Sequence, residues 1–428
     1  MFKKRPPRWR RVGGIAYGLT LKANPILFAV IMGTGAVSNL FAVFPYGTRS
    51  KGMMIASLSV YFLNLALFCT FTSFSLAKYT LYPDRWKALV DNPVASLYIG
   101  TFPMGVTTLV NVSVDVVNSY FKFGGKAFLY IVWGIWWIDV VISVLCCWVG
   151  VHAMIVRQNH SFTTMSAAWL LPVVTLIVAA STGGVMGLAL QKYSPRHALI
   201  TVTFSVFLVA VGLCLAFMIL TLYLGRLIIH GLPPGASVLS VFLPLGPTGQ
   251  SGFAWYLIGR NLHTLLPYVH AGDSGFLSSP TTADILIVLC TSSAFLMWCL
   301  ATMWMLYAIL ALQSTVLKSP VAFKMSFWGL VFPNGVYANL TISLGNAFDS
   351  NGLRIYGAVY AVIVICLWVS IATRSLFALK ELLDPNIHMY EDAKGDRKTT
   401  LLSSHPSAGT SQTEIAIECG GEFPSHFG

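Results

Sequence analysis

Polar but uncharged side chains recur inside the apolar stretches of this sequence: Thr34, Thr107, Thr108, Ser181, Thr182, Gln250 and Asn334. None is a general acid or base near neutral pH; hydroxyls and carboxamides offer hydrogen bonds instead. They cluster with glycine and proline, in Met32-Gly33-Thr34-Gly35, Phe102-Pro103-Met104-Gly105 and Ser181-Thr182-Gly183-Gly184. Pro244-Leu245-Gly246-Pro247-Thr248-Gly249-Gln250 and Phe332-Pro333-Asn334-Gly335 complete the set. Proline inside a helix removes one backbone hydrogen bond and clashes with the preceding turn. Lipid cannot satisfy the freed carbonyl, so such breaks belong where protein or a wet cavity surrounds them. A helix restarted after a break points the positive end of its dipole at the gap, which favours anions. The set predicts a neutral, donor-rich lining that holds a small anion weakly enough to release it. The candidate pore and gate residues are Gly33, Thr34, Gly35, Phe102, Pro103, Ser181, Gly183, Pro247, Gln250, Phe332, Pro333 and Asn334.

Phe332 is the gate candidate, because a ring beside a break can fill a narrow pore and must move for conduction. Core packing is the alternative, and Phe102, in the analogous Phe-Pro, competes for the role. Asp139, in Trp136-Trp137-Ile138-Asp139, follows Lys126 by thirteen residues, roughly 20 Å along a helix and so near mid-membrane. It is either a proton-coupling site or a structural inter-helix hydrogen bond. Asp115 and Arg260 fall towards the outer ends of their segments, as mouth or pairing residues.

The elements that must position these residues are membrane spans. The chain has 428 residues, 56% hydrophobic and 10% charged, with a mean hydropathy of +0.72; soluble domains carry about 25% charge. Ten apolar spans are predicted, at 24–43, 53–77, 94–117, 126–156, 166–190, 198–230, 244–266, 284–316, 322–346 and 354–380. The odd spans hold 20 Gly and Pro residues and the even spans 5. That alternation predicts an all-α integral membrane protein of ten transmembrane helices, arranged as five helical hairpins. Broken odd helices would form an inner ring around a central pore, with intact even helices outside. Glycines that serve only helix packing are the competing explanation.

Three regions follow: a basic cytosolic leader at 1–23, a ten-helix anion-transport domain at 24–380, and a disordered cytosolic tail at 381–428. With the N-terminus inside, 19 Lys and Arg fall on the cytosolic side and eight outside, which places both termini in the cytosol. The net charge of +12 belongs to orientation and lipid headgroups rather than to nucleic acid. Eight cysteines form no CxxC pair, so no metal site or cofactor is expected. No odd span at 24–43 or 166–190 carries an Asp, Glu, Lys or Arg, whereas a cation pathway usually shows an acidic ring. A polytopic membrane enzyme is the alternative class, but neither a DDxxD nor an HxxxxD pattern occurs, and no enzyme is predicted.

Several stretches resemble the tellurite-resistance/dicarboxylate transporter family, whose plant members are slow-type, voltage-dependent anion channels. They are Phe44-Pro45-Tyr46, Gly100 to Gly105, Trp133 to Asp139, Leu170-Leu171-Pro172-Val173-Val174, Leu245 to Gln250, Phe332-Pro333-Asn334 and Gly345 to Ser350. Within the family, the sequence is most similar to the branch that exports sulfite in fungi. The resemblance implies ten helices as five hairpins around a pore, often in a homotrimer, and export of sulfite or bisulfite across the plasma membrane. It also implies a pore phenylalanine from the ninth helix, matched here to Phe332. A C4-dicarboxylate (malate) carrier or anion channel of the same family is the alternative. A dicarboxylate calls for a fixed cation in the pore, and the odd spans provide none at mid-depth.

Overall fold

A computed structural model describes residues 20, 23–47, 49–269, 275–317 and 323–383. Apart from residues 20, 23 and 381–383, the predicted leader and tail lie outside the described residues. Met1–Ser375 make one unit and Leu376–Gly428 another; the features below belong to the first.

Eleven α-helices are described: α1 (Phe28–Val43), α2 (Lys51–Leu81), α3 (Pro83–Asp91), α4 (Thr101–Val112), α5 (Gly125–Val156), α6 (Leu171–Leu190), α7 (Pro195–His230), α8 (Leu245–Val269), α9 (Pro280–Val316), α10 (Val331–Ala347) and α11 (Asn351–Leu383). α4 continues as a π-helical stretch, Ser113–Tyr120. The protein is an all-helical polytopic membrane protein. Eight helical stretches among the described residues are long and apolar enough to cross a bilayer. α8 and α10 fall outside that set, although spans were predicted over both. α8 carries Gln250, Arg260, Asn261 and His263, and α10 carries Asn334, Asn339 and Asn346, which lower their hydropathy.

Two populations of helix are evident. α2, α5, α7 and α9 have 31 to 37 residues, and at 1.5 Å per residue each exceeds the hydrocarbon thickness. Their most apolar windows are only 17% to 33% buried, whereas those through α1, α4 and α6 are 72%, 72% and 89% buried. The buried helices contact one another in a closed cycle: α1 packs on α4, α4 on α6, α6 on α8, α8 on α10, and α10 back on α1. Each ring helix also meets the helix that follows it in sequence. α2 packs on α1, α7 on α6 and α9 on α8, and α11 reaches α10 and α1 through side-chain hydrogen bonds.

Indole groups tie the long helices to the ring. Trp136 Nε1 on α5 donates to the Ala179 carbonyl at 2.9 Å, Trp298 on α9 to Thr341 at 2.9 Å, and Trp368 on α11 to Thr34 at 3.1 Å. Each uses a large apolar body to fill space and its N–H to meet a polar atom that lipid would leave unpaired.

The structure corrects the expectation of breaks at mid-span. Each ring helix is instead entered through a 3₁₀ turn: Pro25–Leu27, Ser96–Gly100, Ala167–Leu170, Gly235–Phe242 and Met325–Leu330. Pro103, Pro172, Pro247 and Pro333 each lie in the first three residues of an α-helix. No i→i−4 bond is due there, and the fixed φ of proline suits helix entry. Gly33, Gly35, Gly183 and Gly335 lie inside continuous α-helix. They permit close approach: a Cβ on Gly335 would come within 3.0 Å of Ala36, and one on Gly183 within 2.0 Å of Ser205. Close packing, the competing explanation for the glycines, is therefore one part they play, while Gly35 and Gly335 also border a cavity.

Gly35 gives a test, since a Cβ there would lie 2.4 Å from the Cβ of Thr108 across the α1–α4 contact. Gly35→Ala is expected to cost about 1–3 kcal/mol through overpacking. Gly134→Ala, with nothing within 4 Å, is the control. Thermal unfolding of the detergent-purified proteins measures both; equal midpoints would show that α1 and α4 do not approach this closely.

Candidate functional site

Three cavities follow one another inside the ring, and all five ring helices line each of them. The first, about 180 Å³, is bordered by the opening turns: Met32 of α1, Met104 of α4, Leu171 of α6, Pro247 of α8 and Phe332 of α10. The second holds only about 30 Å³ and is bordered further along by Gly35, Thr108, Val178, Gln250 and Gly335. The third, about 510 Å³, is bordered by the closing turns, including Val43, Asp115, Ala189, Arg260 and Asn346. The ring helices therefore run in the same sense, and their N-terminal ends converge on the first cavity. No side chain caps α4, α6 or α10, so the positive ends of these dipoles face that space. The half-dipoles expected at mid-span are displaced to this mouth.

Among the described residues, Phe332 alone lines both the first and the second cavity. It is the second residue of α10, ahead of Pro333, and is 5% exposed. Phe102 holds the same place in α4 but is turned the other way. Its ring packs edge-on against Phe28 at 5.1 Å and stacks on Phe68 of α2 at 5.7 Å, and it lines none of the three cavities.

The second cavity has no charged lining. Its hydroxyl, Thr108 Oγ1, donates to the Gly105 carbonyl at 2.8 Å. Gln250 donates through Nε2 to Ser181 Oγ, and Ser181 in turn donates to the Val178 carbonyl at 2.9 Å. Gln250 Oε1, Asn111 Oδ1 and Asn339 Oδ1 are buried without a protein partner. A carboxamide presents donors on one side and an acceptor on the other, so these three oxygens leave acceptor capacity, open to a solute that carries a proton.

Asn39, Asn111, Phe253 and Asn339 are shared between the second and third cavities. None of the four was singled out from the sequence. Their signal is spacing: Asn39, Asn111 and Asn339 each follow Gly35, Thr107 and Gly335 by four residues, one helical turn further along the same face.

Other sequence candidates serve the scaffold. Asn334 donates to the Leu330 carbonyl at 2.7 Å and accepts from Tyr360 at 2.6 Å, fixing the start of α10 to α11. Thr34 accepts from Trp368, and Gly33 packs against Val331 and Trp328. Pro333 and Pro247 border the first cavity, while Pro103 is buried in the first turn of α4. Ser181 stands behind Gln250, and Gly183 faces Ser205 and Trp136.

Asp139 lies on α5, outside the ring, 1% exposed. It lines none of the three cavities. Neither carboxyl oxygen has a hydrogen-bond partner, so the inter-helix hydrogen bond expected of it is not formed. Asp115 borders the third cavity and pairs with Arg49 at 3.0 Å. Arg260 borders the same cavity, with its guanidinium 5.7 Å from the centre of the Tyr256 ring.

Comparison with known proteins agrees with this geometry. Residues 22–376 match the voltage-dependent anion channel family, SLAC1. The sulfite efflux pump SSU1 of Arthroderma benhamiae is 33% identical over 354 residues, covering 83% of this chain and 90% of that protein. The pump of the same name from Candida albicans is 25% identical, over 81% of this chain and 72% of that protein. The malic acid transport protein of Schizosaccharomyces pombe is 24% identical, over 80% of this chain and 75% of that protein. A ring of buried helices around in-line cavities, together with a match over most of its length, makes this chain a member of the voltage-dependent anion channel family of membrane anion transporters.

Proposed function

We propose that the protein exports sulfite or bisulfite across the plasma membrane, through the three cavities in turn. The observation that carries this reading is the uncharged second cavity, set between two mouths that favour anions. A small monoanion loses part of its hydration on entering, a protonated one such as bisulfite donates its hydroxyl to a free carboxamide oxygen, and no fixed cation traps it. The printed names of the pumps at 33% and 25% identity supply the substrate. In this reading α8 and α10 also cross the bilayer. Ten spans then form five hairpins around a pore, with both termini cytosolic and the first cavity opening inward. The homotrimer implied by the family resemblance is the assembly to look for.

A malate carrier is supported by the relative at 24% identity. Against it, no cation lines the second cavity, where a dicarboxylate would have to shed its water. Uptake of labelled malate by proteoliposomes that pass no sulfite would decide for malate. Cells lacking the protein are expected to accumulate sulfite and to grow less well in its presence; equal tolerance would count against export.

Phe332 is the gate in this proposal, because its ring divides the first cavity from the second. If the ring adds about 1.4 kcal/mol to the barrier, Phe332→Ala raises flux about tenfold. The measurement is anion flux per correctly folded protein in liposomes, with Phe332→Leu as the milder change. Unchanged flux from well-folded variants would make Phe332 a packing residue.

Asp139 lines none of the three cavities, and proton coupling is not assigned to it in this proposal. Asp139→Asn is expected to keep the pH profile of export, measured with and without an imposed pH gradient. A flattened profile in the variant would restore the coupling role.

A further inference from the structure

The third cavity is far larger than the second, about 510 Å³ against about 30 Å³. Unlike the second, it has a charged wall. Arg49, Lys122, Lys192 and Arg260 border it, with Asp115 as the acid. Arg49 takes up that acid at 3.0 Å, and Lys192 stands close enough to act on the same carboxylate. Lys122, Lys192 and Arg260 have no carboxylate within ion-pair distance among the described residues. Three cations are thus left over, bordering one open mouth.

Two of the basic residues are held in place at a cost. Arg49 and Lys122 have φ values of 58° and 57°, in the left-handed region that non-glycine residues rarely occupy. The floor supplies a further observation. Asn339, 4% exposed, borders the cavity with its Oδ1 unpartnered. A free carbonyl oxygen accepts hydrogen bonds and offers none to an anion without a proton, so the path turns unfavourable to a dianion at the point where it narrows.

We propose that this mouth is a binding site for doubly charged oxyanions, which rest there without crossing and slow the passage of smaller monoanions. Clustered cations over low-dielectric walls concentrate multivalent anions more strongly than monovalent ones. Going further would strip a dianion of water in a cavity with no fixed positive charge. It therefore gains by entering the mouth and loses by leaving it inward. Binding at the mouth stands by itself; slowed passage rests on the transport function proposed above.

Sulfate and methanesulfonate, similar in size and differing in charge, are the probes. The full chain, purified in detergent, is melted in increasing amounts of either salt at matched ionic strength. Sulfate stabilises many proteins by exclusion from their surfaces, so comparison with the Lys192→Gln/Arg260→Gln double variant decides. A saturable rise in midpoint is expected with sulfate alone, its half-point moved at least about tenfold in the double variant, the equivalent of 1.4 kcal/mol. Lys122→Gln provides a second, independent shift if the double variant folds poorly. In liposomes, sulfate on the side of this mouth is expected to slow sulfite efflux, with the same shift in the variants relative to their own unblocked flux. Equal effects of the two salts, or unshifted half-points, overturn the site. Labelled sulfate crossing the membrane overturns the block. Saturable stabilisation without any sulfite flux leaves the site standing and overturns the transport function instead.

Discussion

Hydrocarbon offers no partner to a backbone group that has lost its hydrogen bond. In this protein that constraint sorts the helices. The five ring helices all begin in 3₁₀ turns and carry the irregular backbone among other helices, whereas the outer α7 and α9 place their prolines, Pro195 and Pro280, at the very start of a long span. The helices facing outward are long and keep a regular α-helical ladder throughout. The π-helical extension of α4 obeys the same rule: it belongs to a span that is 72% buried. Once irregular backbone is confined to the centre, small residues there let five helices close on one another. The space left over becomes three cavities rather than a packed core.

The parity of glycine and proline along the sequence was enough to tell inner from outer helices, because burial and tolerance of these residues have the same cause. The positions of the helix starts were not legible. Met325–Leu330 is as apolar as the α-helix it precedes, so hydropathy gives no sign that the chain changes helix type there. The middle of the apolar segment was thus mistaken for the middle of a helix, and Pro333 for a break within it. Phe102 and Phe332 show a second limit. Both occupy the second helical position before proline, yet one ring turns towards α2 and the other towards the cavities. Only the rotation of each helix within the ring separates them, and tertiary contacts set that rotation. Asn39, Asn111 and Asn339 escaped notice because each stands alone, one turn beyond the residues that attracted attention.

Polar groups within the ring fall into two kinds. Asn334, Thr34 and Ser181 spend their hydrogen-bonding capacity on neighbouring helices or on their own turn. Asn111, Asn339 and the Gln250 carbonyl keep theirs. The first kind holds the walls in register with the outer helices, and the second faces the space between them. The same residue types therefore serve as scaffold and as lining, distinguished by whether a partner is in reach. That is a property of the assembled ring and not of any one segment.

The two ends of the path obtain their positive potential from different sources. At the first cavity it comes mainly from the aligned peptide groups of α4, α6 and α10, which begin there without side-chain caps, with Lys324 as the one basic side chain on the lining. At the third it comes from lysine and arginine side chains. A peptide dipole is present whatever residue occupies the position, so codon changes cannot erase it. Heritable variation in charge therefore falls mostly at the third cavity, where four basic side chains stand against the one at the first. Descendants of this architecture can diverge in what they admit or refuse there, while the opposite entrance keeps its potential for as long as the helices exist.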